Sequence, residues 1–362
     1  MLKQISGKPQ LNRQINASLA LSLIQREGPL SRADLVKRTG LRATSVSAIV
    51  EQLIERGLIV ETGRGVSTGG RQPIMLELNP VGRYAAGIEI AEDALNGVIV
   101  DLSGRTIATG RNGIGDTKPE MIVKKSRALL DGLCKRAKVD LKKLAGLGAA
   151  VPGIISRDEG SVLLSRPLGW QNVKLRDMLQ EATGLGVHVL NNATAGALAE
   201  FSADPKERVR SLLYILVYLR HVRQKDIASF GCGIVLDGRP YLGEGHMAGE
   251  IRADIENPLA DAAKASGWKK FAEQLGGIIS HGMDFLNPGR VVIGTDTPEL
   301  EERIGPQVLE FVQQHTVTGL VSAARLPIRF SPLQTDTLAR GAIVPHLHEL
   351  SLTPLLHDSV LG

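Results

Sequence analysis

Residues 28–73 read GPLSRADLVKRTGLRATSVSAIVEQLIERGLIVETGRGVSTGGRQP, and the spacing inside this stretch decides the fold of the N-terminal part of the chain. Ser31 stands at a cap position three residues ahead of Asp34, Leu35 and Val36 follow, and Gly40 closes a short helix. Arg42 or Thr44 then opens a second helix whose apolar residues, Val46, Ile49, Val50, Leu53 and Ile54, recur on one face. The other face at its start carries Arg42, Thr44, Ser45, Ser47 and Ala48, a small polar and cationic set able to approach base edges and phosphates in a major groove. Gly57 stops that helix. Two short β-rich runs, 58–60 and 74–76, flank a glycine-rich turn from Gly63 to Pro73 that carries Arg64 and Arg71. Helix, turn, helix and hairpin wing is the layout of a domain that reads double-stranded DNA.

The charge distribution points the same way. Residues 1–80 contain 11 Lys and Arg against six Asp and Glu, whereas 81–362 contain 32 of each, so the net +5 of the chain sits on this segment. Counterion release from phosphates requires such a localised cationic surface. The expected DNA-contacting set is Ser31, Arg32, Lys37, Arg38, Arg42, Thr44, Ser45, Ser47, Arg71 and Gln72. Within it Thr44, Ser45 and Ser47 face the groove, Arg32, Lys37 and Arg38 mainly meet phosphates, and Arg71, at a Gly-Gly turn, is suited to a minor groove.

A length of 362 residues leaves room for two to three domains, and 43% hydrophobic content with 40 glycines and only 3% aromatic residues suggests an α/β body with many tight turns. The longest apolar run, Ser211 to Leu219, is too short to span a bilayer, and the segment starting at Met1 lacks a signal-peptide core. A cytoplasmic location, with no membrane partner, is the expectation. Cys134 and Cys232 are far apart, which argues against a disulfide framework or a zinc cluster. After Pro80 the pattern changes to strands at 85–90 and 95–101, a helix near 118–136, and a strand at 144–151 ending in Pro152-Gly153. A strand at 186–190 then delivers Asn191 and Asn192 to the start of a helix at 193–201, a placement suited to a ligand. The second half opens with the 211–219 strand and a glycine-rich hairpin around Gly231 to Gly238, and ends with a strand at 290–294 and a helix near 335–350. The expected division is 1–80 for the reader, 81–205 for a first lobe and 206–362 for a second, with the last helix packing back on the first lobe.

In order and spacing these segments resemble the ROK family of sugar repressors, open reading frames and sugar kinases. The resemblance is carried by Ser67 to Pro73 as a wing, Leu168-Gly169-Trp170, Asn191 to Ala195, Gly231 to Ile234, Ala248-Gly249-Glu250, Asn287-Pro288 and Val291 to Gly294. It covers nearly the whole chain. It implies an α/β fold with an N-terminal winged helix-turn-helix domain and a two-lobed, actin-like body, here with a shortened second lobe, since only 36 residues separate Glu250 from Asn287.

The resemblance also implies what chemistry is missing. In the family's kinases the strand before the central helix ends in Asn-Asp, whose aspartate is the base, where this chain has Asn191-Asn192. A neutral carboxamide cannot take a hydroxyl proton, although it can still bind one. The first phosphate loop, Asp-x-Gly-Gly-Thr in the kinases, reads Glu89-Ile90-Ala91-Glu92-Asp93, and of the adenosine-contact glycine pair only Gly294 remains. Gly231 and Gly233 are left, either as a phosphate cradle or as a tight hairpin. The family's zinc site needs a histidine after Ala-Gly-Glu and later cysteines; here Glu250 precedes Ile251-Arg252-Ala253-Asp254, and no cysteine follows Cys232. No catalytic residue, cofactor or metal is therefore expected. Gly153, Asn191, Asn192 and Glu250 are the expected effector set for a sugar or sugar phosphate, with the alternative that Asn191 and Glu250 are structural remnants. The resulting expectation is a DNA-binding regulator, read as a repressor, acting as a homodimer or higher oligomer. Two alternatives stay open: a sugar kinase carrying a reader, with Glu89, Glu92, Asp93 or Glu250 replacing the base, and a constitutive DNA-bound dimer without ligand sensing.

Overall fold

The computed structural model describes residues 9–65, 72–156, 158–203, 209–222, 225–251, 265–297, 299–317 and 327–355. Its N-terminal unit runs α1 (Pro9–Glu27), β1 (Leu30–Ser31), α2 (Arg32–Thr39), α3 (Ala43–Glu55), β2 (Ile59–Arg64) and β3 (Ile74–Leu78), with strand order β1-β3-β2. A capping box starts α2, and Gly40, at φ 71°, ends it in the left-handed region that favours glycine. Val46, Ile49, Val50 and Leu53 of α3 are buried against Ala17, Leu21 and Ile24 of α1. The hairpin arms are longer than the sequence suggests: β2 continues past Val60 to Arg64 through a register shift between Thr62 and Arg64, and the Gly65 amide donates to the Pro73 carbonyl at 2.8 Å. Val66 to Arg71, including the expected wing contact Arg71, lie outside the described residues.

The first lobe follows as β4 (Tyr84–Ile90), β5 (Ala94–Asp101), β6 (Thr106–Gly113), α4 (Pro119–Ala137), β7 (Leu144–Val151), β8 (Ile154–Ser156), β9 (Ser161–Ser165), β10 (Trp170–Val173), α5 (Leu175–Thr183), β11 (Val187–Asn191) and α6 (Asn192–Ala203). Its main sheet has the order β11-β7-β4-β5-β6, parallel from β11 to β4 and antiparallel from β4 to β6. Every residue of β5 and β7 is buried, which a sheet achieves only when both faces are covered. One face packs on α4 and α5 through Ile88, Ile90, Ile99, Leu130, Leu133 and Leu179.

The second lobe is β12 (Ser211–Val222), β13 (Lys225–Leu236), β14 (Arg239–Pro240), α7 (Ala265–Leu286), β15 (Arg290–Thr295), α8 (Leu300–His315) and β16 (Ile328–Pro332), in sheet order β14-β13-β12-β15-β16. From it the chain runs into a last helix, α9 (Thr337–Leu352), which covers the other face of the first-lobe sheet: Ala339 and Ile343 pack on Ala85, Val98 and Val100. Leu350 of α9 and Leu355 then join the cluster that contains Ala17, Leu21 and Leu53, so reader and body share one core. Two polar contacts flank that junction, Ser351 Oγ to Gln25 Oε1 and Leu355 N to Gln14 Oε1, both at 3.3 Å. No helix among the described residues is long and apolar enough to cross a membrane.

Candidate nucleic-acid interface and interlobe cavities

At the reader, the residues expected at the DNA surface divide into exposed and committed ones. Arg42 precedes α3 without a side-chain cap bond, so the first-turn N–H groups of that helix are not taken up by it, and a helix N-terminus of this kind suits a phosphate. Arg42, Thr44 and Ser45 are exposed, and Ser47 is half-buried one turn on. Lys37 and Gln72 are exposed as well. Ser31 is not at the surface: its buried hydroxyl accepts from the Asp34 amide at 3.1 Å and donates to Asp34 Oδ2 at 2.7 Å, while the Ser31 amide donates to the same carboxylate at 2.9 Å. These bonds hold the Asp34 carboxyl below its ordinary pKa, and they give Ser31 the part of a cap rather than a base contact. Two cations expected to meet phosphates already have carboxylate partners, Arg32 with Glu61 at 2.8 Å and Arg38 with Glu27.

The four expected effector residues do not form one ring. Asn191 and Asn192 are consecutive, at a strand end that becomes a helix start, and they line different cavities. Asn191 Nδ2 donates to the Gly153 carbonyl at 2.7 Å and to Glu250 Oε1 at 3.1 Å, and its Oδ1 accepts from the Ala193 amide at 2.7 Å as a cap for α6. Asn191 and Glu250 border a cavity of 580 Å³ whose wall also includes Arg176, His188 and His246. Desolvation raises the Glu250 pKa above the ordinary glutamate value. Burial pushes the thiol of Cys232, in the same wall, up to about 12, which keeps it protonated and unreactive at neutral pH.

Asn192, 5% exposed, faces instead a smaller cavity of 290 Å³ between the lobes, with Glu89, Asp93, Asn96, Arg111 and Tyr218. Its buried Oδ1 has no hydrogen-bond partner among the described residues. Glu89 is buried, accepts from Asn96 Nδ2 at 2.9 Å, and has its pKa raised by desolvation, with that hydrogen bond opposing the shift. Asp93 pairs with Arg111 at 2.7 Å. The segment compared with a phosphate loop is here a tight reversal between β4 and β5, closed by the Ala91 amide to the Ala94 carbonyl at 2.9 Å. Gly233 lies on α6: a Cβ there would come 2.2 Å from the Ala193 carbonyl oxygen, so close strand-to-helix packing by itself requires glycine.

Fold and surface together define a winged-helix domain carried on a two-lobed, actin-like body. Residues 85–252 match the ROK family, and residues 10–71 match the MarR family. The xylose repressor of Caldicellulosiruptor bescii is 33% identical over 247 residues, 68% of this chain and 59% of that protein. The N-acetylglucosamine repressor of Escherichia coli is 25% identical over 258 residues, 70% of this chain and 61% of the repressor. These alignments thus span about three-fifths of each of the two curated relatives. A crystal structure described as a ROK family transcriptional regulator, homologue of the E. coli MLC protein, superposes with a TM-score of 0.74 at 20% identity over 96% of this chain and all of the other. The chain belongs to the ROK family, with a MarR-like winged helix-turn-helix domain in front of the ROK body.

Proposed function

We propose that this protein is a DNA-binding transcriptional repressor whose body senses a sugar or sugar phosphate and no longer phosphorylates it. The observation that carries the reading is the start of α3, where Arg42, Thr44 and Ser45 stand exposed on a helix held by a buried core. The two relatives described above are repressors in name, one of xylose and one of N-acetylglucosamine, which supports a sugar effector without choosing one. The proposed parts are a reader at 1–80 and lobes at 81–205 and 206–362. Arg42, Thr44, Ser45, Ser47, Lys37, Gln72 and Arg71 form the proposed DNA surface. Arg32 and Arg38 exchange their carboxylate partners for phosphate on binding. Asn191 and Glu250 offer hydroxyl-binding groups in the larger cavity, and Asn192 does so in the smaller. A carboxamide at Asn192 binds a sugar hydroxyl but does not deprotonate it, so binding outlives turnover.

Coupling between effector and DNA follows the shared core. A ligand that favours one relation of the lobes shifts α9, and α9 contributes Leu350 to the reader's own cluster. Two copies are proposed to act together on paired half-sites, the usual arrangement for a small reader, and the DNA target puts the protein in the cytoplasm. Selection of duplexes from a random pool by the full chain tests the reading. Enrichment of a two-fold related motif, with release by one member of a sugar and sugar-phosphate panel, is the expected outcome. Recovery of no common sequence would contradict it.

A further inference from the structure

We propose that His188, His346 and Glu349 bind a divalent transition-metal ion of the zinc type, on the flank of the first lobe where β11 meets α9. His346 and Glu349 lie three residues apart and so are neighbours on the surface of α9, while His188 reaches them from β11. One ligand atom from each falls within 4.8 Å of the others. His188 Nε2 is 2.9 Å from Glu349 Oε1, and His346 Nδ1 is 3.9 Å from Glu349 Oε2. Ligand atoms around a tetrahedral zinc ion at its usual bond lengths stand about 3.3 Å apart, so small side-chain adjustments bring the three to coordinating positions.

The surroundings of His346 favour a ligand role. Its Nε2 is 3.1 Å from the Leu147 carbonyl, which can only accept, so Nε2 carries the proton and Nδ1 presents its lone pair. Metal-bound histidines are oriented in this manner, by donating their other ring N–H to a carbonyl or carboxylate. The ring is buried, 3% exposed, and the space for it exists because β7 has glycine at 146: a Cβ there would lie 2.2 Å from the imidazole. Two nitrogens and one carboxylate form a borderline donor set, which suits zinc better than calcium or magnesium. Access is provided too, since His188 and Glu349 both line the larger cavity and a further coordination position would open into it. This site differs in place and in chemistry from the zinc site implied by the family resemblance, which needs cysteines. A bound ion would join β11 to the helix whose Leu350 enters the core of the reader.

The test is a cobalt titration of the untagged full chain after chelator treatment, followed by visible d–d absorption and by competition with zinc. One equivalent of cobalt with a band that zinc abolishes is expected. His188→Gln and Glu349→Gln should each weaken binding by more than about 100-fold, beyond the usual effect of losing an outer-shell partner. His281→Gln, exposed on α7, should change nothing. X-ray absorption of the wild-type zinc complex should count two imidazoles, a reading independent of whether any variant folds. Absence of the band at stoichiometric cobalt, a band that survives both substitutions in folded protein, or fewer than two imidazoles would overturn the assignment.

Discussion

At the start of α3, Arg42, Thr44 and Ser45 are held up to solvent, whereas around the smaller cavity Glu89 is bonded by Asn96 and Asp93 by Arg111. Both regions are polar and both rest on rigid elements. They differ in where their hydrogen bonds go. A surface that must adapt to a phosphate backbone and base edges gains from side chains still available to a partner. Around the cavity, internal partners hold Glu89 and Asp93, and Asn192 adds a carboxamide, which can bind a hydroxyl but not abstract its proton.

If the exposed surface of the reader is the interface, the largest single loss should come from the wing. Arg71→Ala is expected to weaken DNA binding by about 1–3 kcal/mol, the range for a good groove contact. Gel-shift titration at fixed salt checks it, and unchanged affinity would take the wing out of the interface. Lys37→Ala should do less and do it evenly, lowering affinity for all sequences together and reducing the salt slope by about one. Altered sequence preference in that variant would mean that α2 reads bases.

The cavity side of the comparison gives a pH signature. Burial raises the Glu89 pKa in the folded chain, so the stability it contributes is complete below the ordinary glutamate value of 4.5 and is lost as pH rises through the raised one. Glu89→Gln removes this titration. The melting temperature of the variant should therefore gain on the wild type as pH increases above that value, and a difference that stays flat with pH would show that Glu89 does not titrate as argued. The smallest expected effect is none: Asn192→Asp should not create sugar phosphorylation with ATP and magnesium, because a base without a placed nucleotide gains little. A coupled nucleotide-release assay over hexoses, hexosamines and pentoses decides this. Turnover by the wild type would hand the base's role to a carboxylate in the same cavity, Glu89 or Asp93.

Much of the fold could be read from periodicity, and the parts that could not have physical reasons. Helix α3 was legible because Val46, Ile49, Val50 and Leu53 lie on one buried face, and α2 because Ser31 and Gly40 mark its ends. Helix α1 was not, because it is apolar on two sides: Ala17, Leu21 and Ile24 are buried while Leu11, Ile15 and Leu19 are exposed, which blurs any amphipathic period. The short strands β8, β9 and β10 are too brief to give an alternation of their own. At the candidate site, the sequence grouped Gly153, Asn191, Asn192 and Glu250; Asn191 bonds both Gly153 and Glu250, but adjacency along the chain hid that Asn192 faces elsewhere. Successive residues at a strand end point to opposite sides, which separates the two asparagines. The intramolecular partners of Arg32 and Arg38 lie 29 and 11 residues away and emerge only from the packing of the reader.

The claim that the exposed start of α3 reads DNA is tested most directly by fluorescence anisotropy of the full chain on its selected duplex and on a scrambled one, at the same moderate salt. The account predicts a preference of about 10³ or more for the selected sequence, and a changed order of preference when Ser45 is replaced. Equal affinity for the two duplexes, or a preference untouched by the Ser45 substitution, would contradict it.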